Sequence, residues 1–282
     1  MNPDIPKLAE PKSALAKSNL SYWITQVDEQ FRKKDFNVAR DLIFHGLVHF
    51  PNHPLLLDRL FIVNQHWNLP IAGNKIHLMI PKEEDLLFFQ QCYANDEFIE
   101  QFLPMGRKNQ STESIRSALK YNEFPVAQFR AVHWVIKKEL QVNQPQVNSH
   151  NSLKPIGLAS LVDIQIAHRR AELLVGIPNK EDRQQASAVI ATLLILDFAF
   201  NQIELHKLTS LVIASNTHSQ KSTESIGFMQ EGLRQQHLRD PKSRMWLDCY
   251  ENGLVVKNFR ESAVIARLSK RLLGRNITSK YS

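Results

Sequence analysis

Between Arg183 and Ala188 the chain reads Arg-Gln-Gln-Ala-Ser-Ala, leading into an apolar helical run from Ser187 to Phe200. A turn of this kind sets successive backbone N–H groups at a helix N-terminus, where the donors and the helix dipole together favour a diphosphate. Small side chains at Ala186, Ser187 and Ala188 let the backbone come close to such a ligand. Arg183 adds a charge suited to a phosphate. By itself such a helix start is common, but it is flanked by two further pieces. Before it runs His168-Arg169-Arg170-Ala171-Glu172-Leu173-Leu174-Val175-Gly176; after it comes Asn216-Thr217-His218-Ser219, followed by Gly227-Phe228 and Glu231-Gly232.

The other reactive residue types form no comparable set. His45, His49 and His53 are spaced by four, which on one helix aligns metal ligands; Pro51 interrupts the helix and no carboxylate or cysteine completes the group, so no metal is expected. His206, His218 and His237 lie near the proposed site, and histidines in loops are more often solvated or structural than basic catalysts. Cys92 and Cys249 match no metal or redox spacing and read as reduced, half-buried thiols.

The elements that position these residues follow from periodicity. Lys75 to Ile80 alternates as a short strand, and Pro81 to Asp85 opens a helix with acidic residues in its first turn, continuing through Leu86, Phe89, Cys92 and Tyr93. A further helix is predicted from Ser111 to Lys120. Gln128 to Lys138 and Pro155 to Ile164 read as a hairpin whose Asn-, Gln- and Ser-rich connection, Gln141 to Ser152, is long and mobile. Ala171 to Ile177 is a third strand, Ser187 to Phe200 a helix, Leu208 to Ala214 a strand, Gln220 to Ile226 a short helix and Met245 to Tyr250 a last strand. Strands with interposed helices indicate an α+β domain with a mixed sheet.

Residues 21–68 read as helices. Trp23, Phe36, Ala39 and Pro51 fall as in one tetratricopeptide repeat, which this stretch resembles, although Val27 stands where that repeat usually has glycine. A single repeat cannot bury its own face, so this segment must dock on the other domain or on a protein partner. Leu69 to Asn74 reads as a linker. The division is therefore a helical domain over 1–73, an α+β domain over 74–256 and a basic amphipathic tail over 257–282.

Together, the three pieces around the Arg183 turn resemble the GNAT N-acetyltransferase superfamily, in the branch containing the ribosomal-protein-alanine acetyltransferases. The resemblance spans about Lys75 to Asn252. It implies a GNAT-like, mostly antiparallel mixed sheet flanked by helices, with acetyl-CoA as co-substrate. It assigns the pyrophosphate turn to Arg183, Gln184, Gln185, Ala186, Ser187 and Ala188. The strand ending at Val175, Gly176 and Ile177 is implied to splay from its neighbour and pair with the pantetheine arm, Asn216 to contact the pantetheine, and Ser219 to lie near the thioester sulfur. Glu172 matches the family's Ala-Glu pair and is implied as the base, directly or through water, with Asp163 as a second candidate. Ser219 is implied to protonate the thiolate or hold a water that does so, with Tyr250 as a poorer alternative. A purely structural Glu172, bonded to Arg169 or Arg170, is the competing assignment. The family's first turn glycine is Ala186 here; at positive φ an alanine costs on the order of 1 kcal/mol, while an ordinary helical start would spare it, so a weakened or reshaped cradle is expected.

The resemblance implies transfer of an acetyl or similar acyl group to an amine: a protein N-terminus, an amino sugar or another small amine. The alternative is a GNAT-fold binding or scaffold protein acting through its helical segment. Composition fits either. Of 282 residues, 43% are hydrophobic and 22% charged, enough to bury a core. Met1 to Leu15 lacks the apolar core of a signal peptide and no apolar run reaches membrane-span length, so a cytoplasmic location is expected. The net charge is +7, but Lys257 to Ser282 holds seven Lys or Arg against the single Glu261, so the excess sits in the tail. With too few aromatic residues for a stacking platform, nucleic acid is not expected as a partner. The amphipathic Asn258 to Leu273 segment suits a membrane surface or an acidic partner or, preferentially, packing on the helical domain.

Overall fold

The computed structural model describes residues 19–64, 67–102, 111–120, 126, 130–140, 153–240 and 242–279. The predicted mobile connection 141–152 lies outside these residues. The chain divides into two compact units, residues 1–66 with 124–128 and residues 67–123 with 129–282.

In the first unit, Asn19 and Asp35 cap helices α1 (Leu20–Lys33) and α2 (Phe36–His49) through their side-chain oxygens, and α3 follows (Pro54–Asn64). The apolar faces of the three helices meet over Trp23, Val27, Phe31, Ala39, Ile43 and Leu56. Gly46 admits Leu56, whose Cδ1 lies 3.1 Å from where a Cβ would stand. His45 and His49 stack on Trp23 with ring centroids 6.5 and 5.7 Å away, so two of the three histidines at metal-ligand spacing are packing groups.

The second unit begins at Trp67, earlier than the expected boundary, because the predicted linker is bonded to the sheet. Trp67 and Ile71 are buried, Ile71 bridges Leu78, and the Trp134 indole donates to the Leu69 carbonyl at 2.8 Å. Its elements run β1 (Ile76–Met79), α4 (Leu86–Ala94), α5 (Asp96–Phe102), α6 (Thr112–Leu119), β2 (Val132–Glu139), β3 (Leu153–Gln165), β4 (Arg170–Gly176), α7 (Ser187–Asp197), β5 (Lys207–Ile213), α8 (Thr217–Ser225), β6 (Met229–Arg239), β7 (Trp246–Val255), α9 (Val256–Glu261) and α10 (Ala263–Leu273). Among the described residues they form a seven-stranded sheet in the order β1-β2-β3-β4-β5-β7-β6. Every neighbouring pair is antiparallel except β4 and β5, which run parallel. This is the mixed, mostly antiparallel sheet that the resemblance implies.

Side-chain alternation divides the sheet into two faces. Helix α7 is apolar all round and buried at Ala191 and Leu193 to Leu196, as a helix enclosed by its own unit must be. Helices α4 to α6 cover a cluster of Phe88, Phe89, Phe98, Ile115, Val135 and Leu158. The buried Lys137 on β2 reaches the Asp85 carboxylate at 2.7 Å and so ties the start of α4 to the sheet.

Helix α5 and strand β6 were not expected, and β7 runs five residues past its predicted end. The C-terminal segment is two helices, broken where the Ser262 side chain caps α10. Among the described residues it packs on the α/β unit. Phe259 stacks on Phe200 at 4.6 Å, Arg260 donates to the Phe200 carbonyl at 3.0 Å, and Arg275 pairs with the buried Asp197 at 2.7 Å. Of the apolar stripe offered for a membrane surface, Phe259 is buried, Leu268 and Leu272 are half-buried and Val264 is exposed, as are Arg267, Lys270 and Arg271. Replacing Arg275 by Ala removes one charge partner of a buried carboxylate. Because the guanidinium is half exposed, we expect a loss of about 1–2 kcal/mol in urea unfolding; an unchanged midpoint would show that the tail does not brace α7.

Candidate functional site

The parallel strands β4 and β5 pair over Arg170–Lys207, Ala171–Leu208 and Glu172–Thr209, and the pairing stops there although β4 continues to Gly176 and β5 to Ile213. Beyond Glu172 the two strands part. Val175 and Gly176 lie on the parted length of β4, and the buried Ile177 follows directly, so their backbone edge towards β5 is not used by the sheet ladder. Gly176 is required for packing: a Cβ there would lie 2.7 Å from both Phe98 and Phe102, which stack on each other at 5.2 Å.

Glu172 sits at the last paired position, half-buried. Burial is the largest influence on its carboxyl and raises its pKa above the ordinary carboxylate value; the charges of Asp163 and Glu251 act in the same direction. The Arg234 charge and the Leu211 amide oppose them without reversing the sign. Arg170 does not serve Glu172 as a structural partner. It pairs with Asp163 at 3.3 Å and donates to Gln165 at 2.9 Å. Asp163 also meets Arg130 at 3.4 Å, so the second base candidate is held between two guanidinium groups at an irregularity of β3. Arg234, from the unexpected strand β6, makes a two-pronged ion pair with Glu251 and brings positive charge near Glu172.

The turn before α7 keeps its shape without a glycine. Ala186 adopts φ 59° and ψ 27°, the left-handed conformation, and supplies no side-chain cap. The expectation that alanine might take an ordinary helical start is therefore corrected: the turn carries the strain of a Cβ in that region. A 3-10 helix, Glu181–Ala186, leads straight into α7, so its i to i+3 pattern engages the amides at the junction and the first-turn amides beyond it are the open donors of the helix start. Ser187 is buried and its hydroxyl donates to the Gln184 carbonyl at 2.9 Å, so its side chain braces the turn from inside. Arg183 is likewise a brace, donating to the Ile177 carbonyl at 2.8 Å and the Pro178 carbonyl at 3.2 Å. Gln184 is exposed; the Gln185 side chain lies outside the described set.

At the open end of β5, Asn216 caps α8 by accepting the Ser219 amide at 3.0 Å, and its amide nitrogen donates to Gln101 on α5 at 2.9 Å. These bonds hold Asn216 in place and carry Ser219 into the first turn of α8. Tyr250 pairs with Val212 and Leu233, and alternation turns it to the sheet face opposite Glu172. His206 joins backbone turns through its amide and carbonyl, His218 is exposed, and His237 lies 3.3 Å from Arg234. Cys92 and Cys249 are both free and buried.

A cavity of about 90 Å³ lies on the sheet face that Glu172 shares, beneath α4 to α6. Its wall includes Val162, the cross-strand partner of Glu172, and Leu174, two residues along β4. It also holds a pair that the sequence reading passed over: His133 Nδ1 lies 2.8 Å from the Ser160 hydroxyl, and burial lowers the His133 pKa to about 4. A lone histidine inside an apolar strand run was the available signal.

Residues 75–229 match the family model described as an acetyltransferase (GNAT) domain. Among solved structures, a spermidine N-acetyltransferase from Vibrio cholerae in complex with CoA and spermine superposes with a TM-score of 0.53 at 19% identity, over 64% of this chain and 95% of its own. A candidate acetyltransferase from T. thermophilus gives 0.54 at 20% identity, over 72% and 96%. No curated protein matches the sequence. At these identities the superpositions speak for the fold.

Replacing Ala186 by Gly relieves about 1–2 kcal/mol of left-handed strain against about 0.4–1 kcal/mol of added freedom in the unfolded chain. We expect a gain of up to about 1 kcal/mol in denaturant unfolding; a loss of that size would mean the strain is not there.

Proposed function

The chain belongs to the GNAT acetyltransferase family, and on that premise we propose that it transfers an acetyl group from acetyl-CoA to a primary amine by direct attack within a ternary complex. The observation that carries this reading is the parting of β4 and β5 at Glu172. An extended pantetheine arm takes up the backbone edge of Leu173 to Gly176, as an added strand would. The pyrophosphate lies at the first-turn amides of α7, where Ala186, Ser187 and Ala188 present no bulk. Arg183 holds that loop in place, leaving part of its guanidinium for the phosphate.

The chemistry needs a neutral amine. Glu172 takes the ammonium proton, directly or through a water, and the amine nitrogen then bonds to the thioester carbon. The C–S bond breaks, the thiolate takes a proton from Ser219 or from a water it holds, and the second proton lost by the nitrogen restores that donor, leaving an amide, free CoA and a protonated Glu172 that returns its proton to solvent. A carboxyl whose pKa is raised by burial is the better proton acceptor for this step. Within the family, the resemblance to the ribosomal-protein-alanine branch favours a protein N-terminus as acceptor, with an amino sugar or other small amine as alternatives. The helical unit is our candidate for recruiting a macromolecular acceptor. The competing scaffold reading rests on Ala186 disturbing the phosphate turn. Its left-handed geometry favours a working cradle instead.

Acetyl-CoA at a hundredfold excess over its dissociation constant should stabilise the protein by about 2.7 kcal/mol in thermal unfolding; no shift at millimolar ligand would remove the enzyme reading. Glu172→Gln should lower kcat by about 10²–10⁴-fold with acetyl-CoA affinity nearly unchanged, and Ser219→Ala should lower it less. Because the raised pKa means that folding favours the protonated carboxyl, stability from this group is present below its unfolded pKa and lost as pH rises through the folded one. Glu172→Gln should therefore also raise the melting temperature at neutral pH. Wild-type kcat/KM should fall with decreasing pH through a step that the variant lacks. Unchanged turnover in both variants would refute the residue roles.

A further inference from the structure

Resting on the acyl-transfer reading, we infer that the acceptor is a primary amine carrying a short, uncharged aliphatic group, and that the cavity beneath α4 to α6 is where that group binds. The cavity and Glu172 share one sheet face. Val162 stands directly across from Glu172, and Leu174 follows it by two positions, about 7 Å along the strand. An amine at the Glu172 carboxylate therefore has its carbon substituent over Val162 and Leu174. From there the wall continues through Phe89, Phe102, Ile115 and Leu158.

The lining chooses among amines. Among the described residues it contains no carboxylate and no cation. Its polar side chains are His133 and Ser160, which bond to each other, the Tyr93 phenol, and Trp134, whose indole donates to the Leu69 carbonyl; His133 is neutral at neutral pH and burial raises the Tyr93 pKa. A second ammonium group in this space would lose its hydration with no counter-charge, which is prohibitively costly in an apolar site. A polyamine, the acceptor class named for the Vibrio cholerae structure, is thereby disfavoured here. Size favours a small group. An apolar cavity of about 150 Å³ takes up benzene, so about 90 Å³ suits a branched group of roughly three or four carbons rather than a ring.

The test uses the full-length protein with acetyl-CoA, following thiol release over leucinamide, valinamide, glycinamide and spermidine. The aliphatic amides should exceed both glycinamide and spermidine in kcat/KM by about tenfold or more, the discrimination expected of an apolar pocket. Ala118→Leu, which fills the cavity from α6, should abolish that advantage. Amine acetylation with spermidine or glycinamide preferred would overturn the inference while leaving the acyl-transfer reading standing. A longer acyl donor, butyryl-CoA, preferred over acetyl-CoA in the wild type but not in Ala118→Leu would overturn it too, by giving the cavity to the acyl chain. Thiol release with none of these amines would count against the acyl-transfer reading instead. The cavity is then judged by saturation-transfer NMR: leucinamide methyl contacts in the wild type that vanish in Ala118→Leu uphold the binding assignment, and their absence in both removes it.

Discussion

The site depends on a sheet that stops pairing part-way. Three residue pairs join β4 to β5, and the next four residues of each strand have no partner in the other. The parted edges are mostly half-buried, with the Leu211 amide turned to Glu172, and an extended ligand is the physical complement of two parted strands. The surrounding structure holds them apart. Gly176 brings the Phe98–Phe102 stack hard against β4, while β5 is drawn towards β7 by seven antiparallel pairs from Lys207 to Ile213. Glu172 at the apex takes its character from the same geometry, since the position that ends the ladder also withdraws its carboxyl from water.

The remaining site residues serve that gap at one remove. Arg183, Ser187 and Asn216 spend side-chain bonds on backbone or on a neighbouring helix, and by doing so fix where the first-turn amides of α7 and α8 stand. A side chain that locks a turn can matter to a ligand as much as one that touches it. Ala186 is the exception in energetic terms: the turn keeps a left-handed residue there at a cost in strain, and strain of this kind persists where the surroundings over-determine the backbone.

Much of this was legible in the residues. The Ser187 to Phe200 run and the β-branched strands from residue 128 to 177 pointed to the sheet and its core helix, because apolar periodicity is a local signal; the gap came only as what the resemblance carried by the three pieces around Arg183 implied. Strand β6 was not legible: Met229 to Arg239 is exposed along most of its length, so it lacks the alternation by which a half-buried strand is recognised. Arg234 was lost with it. Helix α5, with seven residues, is too short to show a period. The bracing roles of Arg183 and Asn216 and the pairing of Arg170 with Asp163 depend on partners distant in sequence or on loop shape, which composition does not reveal.

The central claim is that the parted strands are a coenzyme site with Glu172 at the reacting end, and a crystal structure with coenzyme A bound tests it most directly. The account predicts the pantetheine arm against the backbone of Leu173 to Gly176, the pyrophosphate at the amides following Ala186, and the sulfur between Glu172 and Ser219. Coenzyme A bound elsewhere, or β4 and β5 closed along their full length with the ligand excluded, would contradict it.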